Sequence, residues 1–149
     1  MCSVPPAANA LGQWDGGGAD TALGLDLRGL LMNDRGTEKD GLLIVWTGGD
    51  RDVALNMVFM YAANARKHGW WDEVTLLVWG PSQKVLTEDQ ELQNKLAEMV
   101  ELGVDVAACK ACADRYAATE DLESLGVRVF YTGQFLTEWI SSAGHVITF

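Results

Sequence analysis

The sequence is poor in several residue types, and each shortage excludes a class of protein. Only 3 of its 149 residues are cysteine, and only 3 are proline. The first residues, MCSVPP, lack both the basic and the apolar region of a secretory signal, so we expect a cytoplasmic location. Three cysteines without such a signal do not indicate a disulfide framework. No apolar run reaches the roughly 20 residues of a membrane span.

Basic residues are scarce as well. The chain has 11 Lys and Arg against 21 Asp and Glu, which gives a formal net charge of −10. Binding to phosphates requires clustered Lys and Arg, whereas here they are scattered singly. The sequence therefore argues against nucleic acid and anionic membranes as partners. Hydrophobic residues, by contrast, make up 48% of the chain, which is enough for the core of one domain.

Residues 1 to about 40 differ in composition from the remainder. Three consecutive glycines at positions 16–18, two early prolines and the turn-forming residues 33–36 favour flexible backbone. Six apolar side chains of the same stretch offer an alternative, a short element docked on the core: Leu23, Leu25, Leu27, Leu30, Leu31 and Met32. We therefore predict a flexible or weakly docked leader over residues 1–40 and a folded domain over residues 41–149.

Apolar segments from residue 41 onward predict five strands separated by helices. The strands cover residues 42–46, 74–79, 104–108, 127–130 and 146–149, and the helices cover residues 53–67, 87–102, 110–116, 119–125 and 134–143. Asp50 or Asp52 is expected to cap the first helix, and Thr87 with Gln90 fits a capping box for the second. The first helix is apolar on nearly all sides, so we expect it to be covered on more than one side.

Strands that alternate with helices predict a three-layer α/β/α fold with a five-stranded, mostly parallel sheet. The first two strands are continuous apolar runs, as central strands buried on both faces are. The third and fourth strands carry Asp105 and Arg128, which places them nearer an edge. The pattern favours the strand order 4-3-2-1-5 over the flavodoxin order 2-1-3-4-5.

The chemistry is predicted to lie on Cys109 and Cys112. Cys109 falls where the third strand ends, and sites in parallel α/β sheets form outside the carboxyl ends of the strands. Cys112 falls in the first turn of the following helix, whose backbone N–H groups favour a thiolate. Lys110 adds favourable charge. Because the thiolate is the nucleophile, the spacing indicates a reactive pair, although two small buried cysteines are the plainer alternative.

Three chemistries compete for the pair. Thioredoxin-type exchange uses the same spacing, but early in its fold and with a later proline, whereas the last proline here is Pro81. A zinc site needs four ligands, and only Cys2, His68 and His145 remain besides the pair, so zinc would require a site shared between subunits. The third chemistry is sulfur transfer through a persulfide. We predict no cofactor and no metal within one chain.

Other residues at the predicted strand ends are weaker candidates. Gly48 and Gly49 follow the first strand and favour a simple strand-to-helix turn over an anion cradle. Three aromatic residues at strand ends would either wall a pocket beside the cysteines or belong to the core: Trp46, Trp79 and Tyr131. Asp114 and Arg115 follow the pair and would either tune the thiols or be solvated. Nothing places His68 or His145 beside Cys109.

A segment from Gly103 through the cysteine pair to Asp114 (GVDVAACKACAD) resembles the region after the third strand in DsrE/DsrF-like proteins, including the YchN type with paired cysteines. The resemblance continues through residues 125–127 (LGV) and 136–139 (LTEW), and it spans residues 41–149. It implies a five-stranded α/β fold that assembles into trimers or hexamers. It also implies that Cys109 matches the sulfur-carrying cysteine of sulfur-relay members, with Cys112 as a second cysteine found in some branches.

Three functions are consistent with these features. The leading hypothesis is a persulfide carrier in which Cys109 accepts sulfur from a donor protein and passes it to an acceptor protein. The second is a dithiol-disulfide redox module of Cys109 and Cys112. The third is a non-catalytic oligomeric protein for ligand binding or assembly.

Overall fold

A computed structural model describes residues 40–142 and 144–149 of the chain. The strands are β1 (Gly41–Trp46), β2 (Glu73–Val78), β3 (Asp105–Cys109), β4 (Arg128–Phe130) and β5 (His145–Thr148). The helices are α1 (residues 51–67, of which Ala54–Phe59 is π-helical), α2 (Ser82–Glu88), α3 (Gln90–Glu101), α4 (Lys110–Tyr116), α5 (Thr119–Ser124) and α6 (Gly133–Ser141). The leader predicted over residues 1–40 lies outside the described residues except for Asp40.

The five strands form one sheet in the order β4-β3-β2-β1-β5, and every neighbouring pair is parallel. This confirms the predicted order. Asp105 and Arg128, whose charges suggested an edge position, pair with each other across β3 and β4: Arg128 Nε donates to Asp105 Oδ1 at 3.0 Å. β1 and β2 are buried at five of six positions each, as interior strands should be.

The strand order explains why the two faces of the sheet differ. The chain moves in one direction from β1 to β4, so right-handed crossovers place α1 to α5 on one face. The return from β4 to β5 crosses the sheet in the opposite direction and places α6 on the other face. The larger core lies on the first face and includes Ile44, Leu76 and Val106. A smaller core on the second face packs Leu43 and Leu77 against α6.

Helix α1 buries one side only within the described part of the chain. Asp50 caps it by accepting from the N–H groups of Asp52 and Val53, so of the two predicted caps Asp50 is correct. Its inner positions, such as Val58 and Ala62, are fully buried. Met57 and Met60 are exposed, and any second covering of this helix does not come from the described residues.

The predicted capping box at Thr87 is wrong. Thr87 lies inside α2, where its hydroxyl donates to the carbonyl of Gln83. The N-cap of α3 is Asp89, whose carboxylate accepts from the N–H groups of Glu91 and Leu92. Helix α2 has no counterpart among the predicted helices, because its seven residues between Pro81 and Asp89 offer only one helical repeat of apolar positions.

Strand β3 also ends one residue later than predicted. It includes Cys109, which pairs with Phe130 of β4. The nucleophile candidate is therefore held by the sheet itself. Among residues 40–142 and 144–149, no helix is both long and apolar enough to span a bilayer.

Candidate functional site

The candidate site lies at the carboxyl edge of the sheet. Because all five strands are parallel, the segments that follow β2, β3 and β4 meet at this edge. β3 lies between β2 and β4, so Cys109 is flanked by the turn at Trp79 and Gly80 and by the segment at Tyr131 and Thr132.

Cys109 occupies two structural positions at once. It is the last residue of β3 and the N-cap residue of α4, with extended backbone angles (φ −75°, ψ 115°). Cys109 is buried, with 8% of its surface exposed. Residues after an N-cap have free N–H groups, because the first turn of a helix has no preceding carbonyls to bind. The thiol is thus placed where N–H groups are available to a sulfur anion.

The surroundings of Cys109 favour its ionised form. Burial by itself raises the pKa of the Cys109 thiol, since it penalises the charged form. Hydrogen bonds from the Thr132 hydroxyl and from the backbone N–H and thiol of Cys112 lower this pKa, as does the backbone N–H of Ala111. The donors prevail, and the pKa of Cys109 lies below its ordinary value.

Cys112 behaves in the opposite way. Burial raises the pKa of its half-buried thiol first, and the bond and charge of Cys109 raise it further. The backbone N–H of Gly80 donates to this sulfur, and Arg115 also acts on it, but both only lessen the increase. Both cysteines are free thiols. The pair is therefore unequal: Cys109 ionises first, and Cys112 serves as its hydrogen-bond donor.

Thr132 is a site residue that was not predicted from the sequence. It is 3% exposed and stands at the N-cap position of α6, where its carbonyl accepts from the N–H of Leu136 at 2.9 Å. A signal was present in the sequence, because Thr132 follows the fourth strand and precedes a helix. The expected meeting of strand ends at one edge would have placed it beside Cys109.

Gln83 was missed for a different reason. It is fully buried in α2, and its Nε2 donates at 3.0 Å to the carbonyls of both Val78 and Cys109. These are the last residues of β2 and β3. No local pattern identifies such a residue, because its partners are fixed only by the pairing of the strands.

The charged residues beside the pair bind one another. Lys110 Nζ lies 3.0 Å from Asp114 Oδ1, and the Thr119 hydroxyl donates to the same oxygen at 2.9 Å. This hydrogen bond to Asp114 raises the pKa of Lys110. The positive charge of Arg115 lowers the pKa of Cys112, against the larger effect of burial. Lys110 is thus paired with the Asp114 carboxylate, and the expectation that its charge favours the thiolate stays a prediction.

The three aromatic candidates have different environments. Tyr131 is 69% exposed, and Trp79 is partly exposed at 37%. Their strands lie on either side of β3, so both stand at the edge that carries Cys109. Trp46 is fully buried in the larger core, where its ring meets Phe59 edge to face at 5.3 Å. Trp46 is therefore a core residue in this structure.

Gly48 and Gly49 form the turn between β1 and the Asp50 cap of α1. An added Cβ at Gly49 would meet Val85 and Pro81 only at ordinary distances of 3.7 and 3.8 Å, and one at Gly48 would meet nothing closer than 4.0 Å. Neither position requires glycine for space. Their location at the carboxyl edge agrees with a simple strand-to-helix turn.

The histidines lie away from the thiols. His68 stacks on Trp70 at 5.4 Å, and His145 contacts Trp71 at 4.8 Å. Both belong to the opposite edge, where α1 ends and β5 begins. In the part of the chain that the structure describes, no group of three or more His, Cys, Asp or Glu side chains could hold a metal ion. Cys2 lies outside that part.

An all-parallel α/β domain with a cysteine at the end of its third strand defines a class of protein, and similarity to known proteins gives its family. The model of the DsrE/DsrF-like family matches residues 41–149, and the chain belongs to this family.

Two solved structures are similar to this one. The first is BT1422, a conserved protein of unknown function from Bacteroides thetaiotaomicron, with a TM-score of 0.72, 32% identity, and 74% of this chain and 95% of that chain covered. The second is the YchN protein from E. coli, with a TM-score of 0.54, 17% identity, and coverage of 75% and 100%. The second likeness concerns the fold alone. No curated protein matches the sequence.

Proposed function

We propose that this protein carries sulfur as a persulfide on Cys109. The observation that supports the proposal most directly is the position of the buried Cys109 at the end of β3 and the N-cap of α4, where surrounding donors lower the pKa of its thiol despite its burial. A lowered pKa increases the fraction of thiolate at any pH below it, and the thiolate is the nucleophile in exchange with another sulfur. Membership of the DsrE/DsrF-like family agrees with this role.

The reaction is an exchange of one sulfur atom. The Cys109 thiolate attacks the outer sulfur of a donor protein's persulfide, a bond forms between the two sulfurs, and the donor's S–S bond breaks. The donor leaves as a thiolate, and Cys109 becomes the persulfide, so atoms and electrons balance without a further oxidant. The acceptor's thiolate then attacks the outer sulfur in the same way and returns Cys109 to a thiolate.

The site is suited to hold the product as well as the reactant. A persulfide anion carries its charge on the outer sulfur, one bond further from the backbone than in the thiolate. The Cys112 thiol and the Thr132 hydroxyl are side-chain donors and can follow this displacement by rotation. Donor and acceptor proteins would approach past the exposed Trp79 and Tyr131, which stand on either side of β3.

Intact mass spectrometry tests the proposal directly. The reduced protein is incubated with a cysteine desulfurase and free cysteine as the sulfur source. We expect an adduct of about 32 Da that a thiol reductant removes and that is absent from the Cys109→Ser variant, because a thiolate is needed to accept the sulfur. The Cys112→Ser variant is the matched control and should still take up one sulfur. No adduct on the wild-type protein would refute the proposal.

A dithiol-disulfide redox module is the second candidate function. It is favoured by one observation: both cysteines are free thiols, and each changes the pKa of the other. It predicts a reversible loss of about 2 Da on oxidation and a two-electron midpoint in the cytosolic thiol range. A redox titration without such a transition would exclude it, and a titration with it but without any sulfur adduct would favour it over the persulfide carrier.

A non-catalytic oligomer is the third candidate. The exposed Met57 and Met60 on α1 support it, since a neighbouring subunit would remove them from water. We infer a homo-oligomer, a trimer or a hexamer, located in the cytoplasm. Light scattering at micromolar concentration tests the assembly, and a monomer would contradict it. A homo-oligomer is also compatible with sulfur transfer, so this measurement leaves the thiol chemistry to be decided by the mass experiment.

A further inference from the structure

Gln83 connects the helix α2 to the strand that carries the thiol. Its side chain is fully buried, and its Nε2 donates to the carbonyls of Val78 and Cys109, each at 3.0 Å. The two carbonyls end adjacent strands, so one amide group joins the carboxyl ends of β2 and β3. The second of these carbonyls belongs to the nucleophile candidate.

The orientation of this amide is fixed by its partners. Both N–H bonds of Nε2 are used on carbonyl oxygens, and the reversed amide would place its own oxygen against those oxygens. Its Oε1 is buried and has no partner within the described residues. An unpaired buried acceptor is unfavourable, so an apolar side chain of similar volume would be the better choice for packing alone. The glutamine therefore needs an explanation other than packing.

The position of the Cys109 carbonyl determines the direction of the N–H groups after it in the chain. This carbonyl and the N–H of Lys110 belong to one rigid peptide plane, and its rotation sets where the next N–H groups point. The N–H groups of Ala111 and Cys112 are those that act on the Cys109 sulfur. Fixing the carbonyl thus fixes the donors relative to the sulfur.

We infer that Gln83 is a positioning residue for Cys109: by holding the Cys109 carbonyl, it keeps the first turn of α4 aligned on the sulfur. Gln83 touches no substrate in this role and acts through the backbone of Cys109. The inference deepens the proposed function, on which its use in sulfur transfer rests, but the alignment itself is a property of the resting protein.

Ser82, the preceding residue, offers a matched control. It is also fully buried, and its one hydroxyl hydrogen is shared between the carbonyl oxygens of Trp46, at 2.7 Å, and Trp79, at 3.1 Å. Ser82 thus joins the ends of β1 and β2 as Gln83 joins those of β2 and β3. The two residues share burial, helix and type of bond, and only Gln83 reaches the cysteine.

The test is the pH profile of Cys109 alkylation by iodoacetamide, measured in a Cys2→Ser, Cys112→Ser background so that one thiol reacts. In this background Gln83→Met should move the midpoint upward and lower the rate at a pH below it by about three- to tenfold, because each pKa unit changes the thiolate fraction about tenfold. Ser82→Ala should lower the thermal stability without moving the midpoint. An unchanged midpoint in a folded Gln83→Met protein would overturn the inference, as would an equal shift in both variants.

A measurement on the unsubstituted side chain covers the case in which Gln83→Met does not fold. In the same background, the Gln83 side-chain amide is followed by NMR during a pH titration. We expect its two protons to exchange slowly with water and to shift with the midpoint of Cys109 alkylation. Rapid exchange or no shift would overturn the inference. Since neither readout uses a sulfur donor, failure of persulfide loading would leave both results standing.

Discussion

The side chains at the carboxyl end of the sheet differ in chemical type from those at the amino end. At the carboxyl end, two thiols meet buried polar side chains, Thr132 and Gln83, that donate toward Cys109. At the amino end, an aromatic cluster lies where α1 ends and β5 begins: Trp70 stacks on His68, and Trp71 contacts His145. At the same end, the ion pair of Asp105 and Arg128 joins the first residues of β3 and β4.

The direction of the strands explains this difference. In a parallel sheet the helices that follow the strands begin at the carboxyl end, so their free N–H groups collect there. The same helices end near the amino end and present carbonyl groups, which disfavour an anion. His68 is such a C-terminal residue, at the end of α1. A thiolate is therefore stabilised at one end only, and the aromatic cluster at the other end contributes packing.

Replacing the nucleophile should have the largest effect. Cys109→Ser is expected to abolish sulfur loading and, in the Cys2→Ser, Cys112→Ser background, alkylation, because a serine hydroxyl does not ionise near neutral pH. Its fold should be unchanged, which circular dichroism checks. A variant that still loads sulfur at the wild-type rate would place the chemistry on another thiol.

A substitution at the amino end should affect stability without affecting the thiol. A Cβ at Gly41 would lie 2.8 Å from Cη2 of Trp139, so Gly41→Ala must displace this ring. We expect it to lower the free energy of unfolding by about 1–3 kcal/mol, as overpacked sites do. Gly48→Ala is the control at the carboxyl end and should change stability little, since its Cβ would meet only the backbone N of Asp50, at 4.0 Å. Chemical denaturation distinguishes the two, and equal losses would contradict the packing argument.

Removing the hydroxyl of Thr132 should weaken the thiolate while leaving it usable. Thr132→Val keeps the shape but removes the donor, so the pKa of Cys109 should rise. Hydrogen bonds to charged groups contribute about 1.5–3 kcal/mol, and we expect the alkylation rate below the pKa to fall by about tenfold. Thr132→Ser retains the hydroxyl and should retain the rate. If valine and serine behaved alike, the hydroxyl would not be the donor.

The opposite pKa shifts of the two thiols predict a pH dependence of stability. The lowered folded-state pKa of Cys109 contributes stability that is complete above the unfolded pKa and lost as pH falls through the folded value. The raised pKa of Cys112 contributes stability below the unfolded pKa that is lost as pH rises through the folded value. Denaturation of Cys112→Ser against the double Cys109→Ser, Cys112→Ser variant should therefore show a stability difference that grows with pH. A difference that shrinks with pH would reverse the assignment.

Changes in the aromatic cluster should have the smallest effect on the thiol. His145→Ala and His68→Ala lie at the opposite end, so neither should move the midpoint of Cys109 alkylation. Each histidine contacts a tryptophan ring, His68 that of Trp70 and His145 that of Trp71. A midpoint shift in either variant would show that the two ends of the sheet are coupled and do not have separate roles.

The strand order and the place of the thiol could be predicted from the sequence because each depends on local composition. Apolar runs in β1 and β2 indicated interior strands, and the charges Asp105 and Arg128 indicated an edge, which the sheet confirms. The helix α2 could not be predicted in the same way. With seven residues after Pro81, it is too short for a periodic pattern, and its start has no side-chain cap.

The two missed site residues show the limit of local patterns in another way. Thr132 lies 23 positions and Gln83 26 positions from Cys109, and neither belongs to a motif that names a partner. Trp46 shows the converse, since its position at a strand end suggested a pocket wall, whereas the larger core encloses it completely.

The sequence by itself determined the alternating α/β architecture and the location of Cys109 at a strand end, because strand and helix periods and the spacing of two cysteines are local features of the chain. Only the tertiary structure decided how the two thiols differ. That difference depends on Thr132 from the segment after β4, on Gly80 from the turn after β2 and on the burial of both sulfurs. Such donors come together only when the strands pair, since the pKa of a buried thiol is set by what surrounds it in space.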